Sequence, residues 1–310
     1  MVRQPLEMRR LRLLLELKHR GTITAVAEAM SYTQSAVSQQ LSMLASEVGV
    51  PLLEADGRRR RLTPQAEILV EHARTILAEL DLAHANIAAS IGEISGTYRV
   101  ASFQTVTLAW LPFVMTELKA AHPGLRVEIV QAEPEAATPG LLMREFDAVI
   151  AETYPGQPRR PAAGTEEWPI CTDPMRIASR PGIDDPSAPL SALRAAPFIM
   201  EPEGSNAREW AVSTCRNAGF EPDIIVATDD MRAQVRFVER GLGVAFLPDL
   251  VWFDTPPPKQ LVRVSEREIL LRIRTGYSGH PAVAAMHHAI QSANTTVRRA
   301  IRGRLAKPDD

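Results

Sequence analysis

Residues 22–49, TITAVAEAMSYTQSAVSQQLSMLASEVG, constrain the fold of this chain more than any other stretch. Two short runs of helical periodicity flank a break at Ser31-Tyr32, and no Arg or Lys occurs in either. Thr22 or Thr24 can cap the first run, which reaches Met30, and Thr33 can cap the second, which stops at Gly49. Val37, Leu41 and Leu44 share one face of that second helix. Ala27 stands ten residues before Val37, where a small side chain lets two helices cross closely. Ahead of both runs, Leu6, Leu11, Leu14, Leu15 and Leu17 recur at helical spacing among Arg9, Arg10, Arg12 and Lys18, predicting an amphipathic helix that ends at Gly21. Three helices so spaced predict a helix-turn-helix.

The poverty of charge in that stretch has a use. The outward face of the third helix carries Gln34, Ser35, Ser38, Gln39 and Ser42, with Thr33 at its start. Short polar groups reach base edges by hydrogen bonding, whereas holding phosphate takes positive charge, and different elements can perform the two tasks. The charge stands in PLLEADGRRRRLTP, residues 51–64. Asp56-Gly57 is a two-residue hairpin signal, and Arg58, Arg59, Arg60 and Arg61 run down the returning strand. Alternate arginines point to opposite sides, so part of the set faces a DNA backbone if the hairpin is a wing; the other reading is an edge strand protected by charge. Residues 1–62 hold ten Arg and Lys against six acids, +4, and the remainder is −6. A basic head on an acidic body suits a polyanion partner for the head alone.

The run GTITAVAEAMSYTQSAVSQQLSMLASEVGVPLLEADGRRRRLTPQAE, residues 21–67, resembles the LysR-type transcriptional regulators, and further similar stretches extend the resemblance over essentially the whole chain. Three departures stand out. Many relatives carry Arg where Gln39 stands. Relatives usually have Phe-Glu-Arg in place of Leu53-Glu54-Ala55, and Gly is frequent where Glu67 stands. The resemblance implies an α/β protein overall: an N-terminal winged helix-turn-helix, a long dimerisation helix, and a two-lobed effector domain like the periplasmic binding proteins.

From Thr63 and Pro64 a long helix is predicted to about Ser90. Leu69, Ala73, Ile76, Leu80, Ala83 and Ile87 alternate steps of four and three, a seam for pairing with another helix; a single helix packed on its own domain is the alternative. Gly92 and Gly96 mark a hinge. Beyond them, strands alternate with helical segments, which predicts parallel α/β units. The expected division is 1–63 for the winged head, 64–92 for the linker helix, 97–164 with 272–303 for the first lobe, 165–271 for the second, and 304–310 for a flexible tail. The return of the chain to the first lobe is implied by the family.

Ligands of open α/β sheets bind beyond the carboxyl ends of strands. Ser102, Phe103, Gln104 and Thr105 follow the first such strand, and Glu203, Gly204, Ser205 and Asn206 precede a helix. Their hydroxyls and free N–H groups suit a carboxylate or another polar small molecule, while helix capping explains each residue singly. Thr228 and Gly243 match further cleft positions of the family. The resemblance implies a small-molecule effector for which an anion is suitable, a DNA site built as an interrupted inverted repeat, self-association as a dimer or tetramer, and contact with RNA polymerase.

Other chemistry finds little support in the residues. No G-x-S-x-G, H-E-x-x-H, phosphate loop or G-x-G-x-x-G follows a strand. His287 and His288 stand together on the last predicted helix without nearby Cys or carboxylate, so neither a metal nor a cofactor is expected. Cys171 and Cys215 are 44 residues apart, unlike the closely spaced thiols of redox sensors in the family, and are read as reduced. No apolar run approaches a membrane span, and the charged start does not read as a signal peptide, so the cytoplasm is the expected location. A small-molecule-binding protein or an α/β enzyme without specific DNA binding remains the alternative.

Overall fold

Leucines on one side of the first helix organise the N-terminal unit. In the computed structural model, which describes residues 6–30, 32–56, 59–90, 94–157, 161–179, 189–258 and 260–306, α1 spans Met8–Arg20 and buries Leu11, Leu13, Leu14, Leu15 and Leu17. Gly21 ends it at φ 74, left-handed backbone in which a missing Cβ relieves the clash. Thr22, not Thr24, caps α2 (Ile23–Ala29) by accepting from the Ala25 N–H, and Thr33 caps α3 (Gln34–Val48) by accepting from the Ala36 N–H. Between them the Tyr32 N–H donates to the Ala27 carbonyl at 2.8 Å; Ser31 lies outside the described residues. Val26 and Ala27 of α2 and Val37, Leu41 and Leu44 of α3 enter one core with the leucines of α1.

Strands β1 (Leu53–Asp56) and β2 (Arg59–Leu62) pair antiparallel, Leu53 opposite Leu62 and Asp56 opposite Arg59. Gly57 and Arg58 lie outside the described residues. The Thr63 hydroxyl accepts from the Ala66 N–H at 3.2 Å and opens α4, Pro64–Ser90. Here the expected seam needs correction. The face of α4 packed in the head is Ala66, Val70, Ala73 and Leu77, so Ala73 belongs to the core of its own unit. Ile76 is 38% and Ile87 64% exposed. The first half of α4 therefore packs as a single amphipathic helix would, while Ile76 at its middle and Ile87 near its end stay exposed.

The chain divides between residues 91 and 92 into two units. The second is organised by one eight-stranded sheet of order β4-β3-β5-β10-β6-β9-β7-β8. At one end β3 (Gly96–Ser102) pairs parallel with β4 (Leu125–Gln131) and β5 (Ala148–Thr153). At the other, β7 (Pro197–Met200) pairs parallel with β8 (Asp223–Ala227) and β9 (Val244–Pro248). These are the two lobes. Between them run β6 (Thr165–Ser179) and β10 (Gln260–Arg274), antiparallel and 15 residues each, long enough to cross both lobes at roughly 3.3 Å per residue.

Helices follow the strands as the alternation predicts, with three differences. By sequence TLAWLPFVMTELKAAHPG, residues 107–124, reads as one helix; the chain forms two, α5 (Gln104–Ala109) and α6 (Leu111–Ala121), because it bends at Trp110 ahead of Pro112. By sequence LLMREFDAV, residues 141–149, reads as a short helix running into a strand; the helix is instead α7, Pro134–Leu142, started by Pro134 at its first turn, and Arg144 then turns the chain at φ 66. By sequence LLRIRTGYS, from Leu270, reads as the returning strand; β10 begins ten residues earlier, at Gln260, since charges on its lower half hide the alternation. Helices α8 (Asn206–Asn217), α9 (Met231–Glu239) and α10 (Pro281–Leu305) complete the unit. Because α10 runs to Leu305, the tail expected from 304 starts later, and residues 307–310 lie outside the described residues. Among the described residues no helix is long and apolar enough to cross a membrane.

Candidate nucleic-acid interface and effector cleft

With Val37, Leu41 and Leu44 turned inward, α3 presents Thr33, Gln34, Ser35, Gln39 and Ser42 to solvent and Ser38 half-buried beside them. Some of these groups are partly engaged. The Thr33 hydroxyl caps the helix and lies 3.0 Å from the Ser35 hydroxyl, and the Ser42 hydroxyl donates to the Ser38 carbonyl at 2.9 Å. The amides of Gln34 and Gln39 extend from the exposed face, and each can present a donor and an acceptor together to a base edge.

Positive charge in the head is less available than its net +4 suggests. Arg10 is buried: its Nε donates to Gln40 at 3.0 Å, and it pairs with Glu47 and, at 3.1 Å, with Glu7. Lys18 pairs with Glu67 at 2.6 Å and Arg20 with Glu16 at 2.7 Å. Across the hairpin Arg61 meets Glu54 at 2.7 Å, as their opposed register requires. The Lys18 contact gives Glu67, one of the departures from the family pattern, a structural partner. Arg9 remains exposed, its guanidinium 4.8 Å from the Tyr32 ring centre at the turn before α3. Arg58 and the side chains of Arg59 and Arg60 lie outside the described residues.

In the second unit, the predicted cleft residues gather at two bridges between the lobes. At the first, Gln104 of lobe one donates to Asp230 at 3.0 Å and accepts from the Met231 N–H at 2.7 Å. Asp230 caps α9 and takes its own N–H to the Thr228 hydroxyl at 3.2 Å. At the second, Glu135 of α7 accepts weakly from the Asn206 N–H at 3.4 Å, and Gln157 donates to the Asn206 carbonyl at 2.8 Å. Ser205 caps α8, and Gly204 precedes it at φ +89. Ser102 and Phe103 are buried at the end of β3. Gly243 has another reason to be glycine: a Cβ there would stand 2.6 Å from the Pro197 carbonyl oxygen, where β7 and β9 meet.

Between the bridges lies a group that sequence reasoning missed. Arg267, on β10 and 1% exposed, donates to Asp173 at 2.8 and 3.0 Å, to the Thr105 hydroxyl at 2.8 Å, and to Glu152. Its guanidinium also lies 5.0 Å from the Phe103 ring centre. Burial works against its charge, but Glu152 and Asp173 outweigh that effect and hold it above its usual value. Tyr154 donates to Glu152 at 2.7 Å, and burial followed by the Glu152 charge pushes its own pKa up. Nothing local marks Arg267: its partners come from β5, β6 and α5, up to 162 residues away.

The carboxylates around it outnumber the single cation. Burial, with Glu152 and Glu135 nearby, pushes Glu133 up to about 7. Burial, with Glu152 and Glu133, pushes Glu201 up to about 8, and burial brings Asp173 to about 6 against the pull of Arg267. A ligand entering here meets Glu152 and Asp173 already on Arg267. A cavity of about 580 Å³ opens beside this network, with Glu152, Tyr154 and Gln157 from lobe one, Asn206 and Glu209 from lobe two, and Arg267 from the crossing strand. Its volume suits a small ligand.

The cysteines are separate free thiols; burial pushes both Cys171 and Cys215 up to about 12, the opposite of what a reactive thiolate requires. His287 meets the edge of Trp168, ring centres 5.3 Å apart.

Comparison with known proteins agrees with this architecture. Residues 8–67 match the model of the bacterial regulatory helix-turn-helix protein, lysR family, and residues 92–295 match the LysR substrate binding domain. The chain is 26% identical over 252 residues to the transcriptional dual regulator GltC of Bacillus subtilis, covering 81% of this chain and 84% of that protein. A full-length OxyR variant of Pseudomonas aeruginosa superposes with a TM-score of 0.69 at 19% identity, covering 93% and 95% of the two chains. Full-length CbnR in complex with its target DNA superposes with a TM-score of 0.53 at 21% identity, covering 93% and 100%. Winged head and two-lobed body are thus joined in one chain as in these proteins, and this chain belongs to the LysR family of DNA-binding transcriptional regulators, not to an enzyme family.

Proposed function

We propose that this regulator acts in the cytoplasm as a dimer or tetramer, reads an interrupted inverted repeat in double-stranded DNA, and changes its grip or bend on that DNA when a polar small molecule enters the interlobe cavity, altering contact with RNA polymerase. The observation that carries the reading is the pair of bridges, Gln104 to Asp230 and Met231, and Glu135 to Asn206, on either side of the Arg267 network. A ligand bound there bears on both lobes at once, and differential binding to two lobe arrangements is what a ligand needs in order to shift them. The effector does not rely on a free guanidinium, because Arg267 is already occupied.

On the DNA side, α3 supplies base contacts and the arginines of β2 supply phosphate contacts. The test is a mobility-shift titration on the DNA upstream of the protein's own gene and on scrambled DNA, over a range of salt. Gln34→Ala is expected to cost about 1–3 kcal/mol on the specific site and little on scrambled DNA. Replacing Arg58 to Arg61 by Gln is expected to weaken both, and to lower the salt slope by about 1 for each arginine that meets a phosphate. Equal losses on both DNAs from both variants would overturn this division of labour.

A further inference from the structure

The cavity of about 580 Å³ between the lobes is lined by five carboxylates and two guanidinium groups. Both guanidinium groups are committed to the wall itself. Arg267 is held by Glu152 and Asp173, and Arg272 donates to Glu167 at 2.8 and 3.0 Å and to the Thr138 hydroxyl at 2.7 Å. With Glu152 and Glu167 answered in this way, three carboxylates of the lining remain: Glu209 from lobe two, and Glu266 and Glu268 from the crossing strand β10. Glu266 meets Arg263 at 2.8 Å. Glu209 stands exposed on the first turn of α8, with no ion-pair partner among the described residues.

The neutral groups of the wall add to the imbalance. Tyr154 donates its O–H to Glu152 at 2.7 Å, and Gln157 donates an amide hydrogen to the Asn206 carbonyl at 2.8 Å. These donors are engaged within the wall, while carboxylate oxygens, each able to accept more than one hydrogen bond, line the void. A recess lined by one sign of charge concentrates ions of the other. The same field is felt at Glu133 and Glu201, which burial raises first and the Glu152 charge next. The carboxylates are spread along the wall and do not converge: among the described residues no group of three His, Cys, Asp or Glu could hold a metal ion. That spread, in a void of this volume, suits an extended organic molecule.

We propose that the interlobe cavity takes an organic cation, an amine or guanidine compound, whose charged end pairs with Glu209 beside Glu266 and Glu268. The proposal rests on the reading of this cavity as the effector site, and names the class of molecule that the site accepts. Such a ligand supplies the hydrogen-bond donors and the positive charge that the wall lacks, and ties lobe two to β10.

The experiment titrates the full-length protein calorimetrically, at low salt, with cadaverine and with glutarate, a diamine and a dicarboxylate of equal carbon count and opposite charge. Saturable binding of cadaverine is expected, and none of glutarate. Cadaverine is expected to bind about threefold more weakly to Glu209→Gln, the scale of an exposed ion pair, and about tenfold or more weakly to Glu209→Lys, which sets a like charge in its place. Asp223→Asn removes the same charge from an exposed position of lobe two outside the cavity, and is expected to bind as the wild type does. No saturable binding of cadaverine, binding that Glu209→Lys leaves intact, or equal loss in Asp223→Asn would each overturn the proposal. Glutarate bound in place of cadaverine, and more tightly by Glu209→Lys, would overturn the cation class and leave the interlobe site standing. A parallel mobility-shift assay with and without cadaverine separates the two readings from the other side: binding that depends on Glu209 but leaves DNA affinity unchanged would retain the cation site and overturn its role as the effector site.

Discussion

Arg267 shows how much one side chain can hold together. Its guanidinium joins β5, β6 and the start of α5, and its removal leaves Glu152 and Asp173 as buried carboxylates without a counter-charge. Arg267→Met is therefore expected to destabilise the effector domain by about 3–5 kcal/mol in denaturant unfolding, and adding Glu152→Gln and Asp173→Asn is expected to restore much of the loss. Glu201 makes a separate prediction about pH. Burial raises its folded-state pKa from 4.5 to about 8, so the folded protein keeps a proton that the unfolded chain releases. Stability contributed in this way is present at low pH and falls as pH rises toward and through 8. Between pH 7 and 8 the fall attributable to Glu201 is expected to be about 1 kcal/mol. Thermal unfolding followed over that interval should show Glu201→Gln with a flatter profile than the wild type; an identical slope would place the titrating group elsewhere.

At the scale of elements, legibility in the sequence followed the range of the interactions. Caps, glycine stops and helical periodicity are local, and they are enough to place α1, α2 and α3 and their order. The split at Trp110 and the early start of α7 carry local signals as well, in Pro112 and Pro134. The lower half of β10 could not be read this way, because Arg263, Glu266 and Arg267 look like a loop until β6 lies beside them. The predicted effector residues fared in the same manner: Gln104, Asn206 and Thr228 do gather at the lobe bridges, while the charged centre they surround is assembled from distant strands. For α4, the bare Ile76 and Ile87 predict a partner. Ile87→Glu is expected to shift the oligomer toward monomer in sedimentation and to weaken binding to a paired site far more than to a half-site. An unchanged mass would assign self-association to another surface.

Across the whole molecule, charge is sorted by unit and then spent locally. The head is net basic, yet Arg10, Lys18, Arg20 and Arg61 all have carboxylate partners within it. The body is net acidic, yet the cavity beside α10 is lined by four arginines, Arg176, Arg263, Arg298 and Arg302, against three carboxylates, Asp173, Asp249 and Glu266. Net charge marks the head as the basic part of the chain but is silent on the character of individual surfaces, because ion pairing depends on proximity that composition does not record. The union of α4 with its head has a mechanical meaning. Ala66, Val70, Ala73 and Leu77 sit in the same core as the α3 residues Val37, Leu41 and Leu44, and Lys18 ties α1 to Glu67 from outside. A close-packed interior of this kind does not let its parts slide. Helix α3, proposed to read DNA, has no hinge of its own, and behaves as the blade of a key whose shank is α4: to turn one is to turn the other.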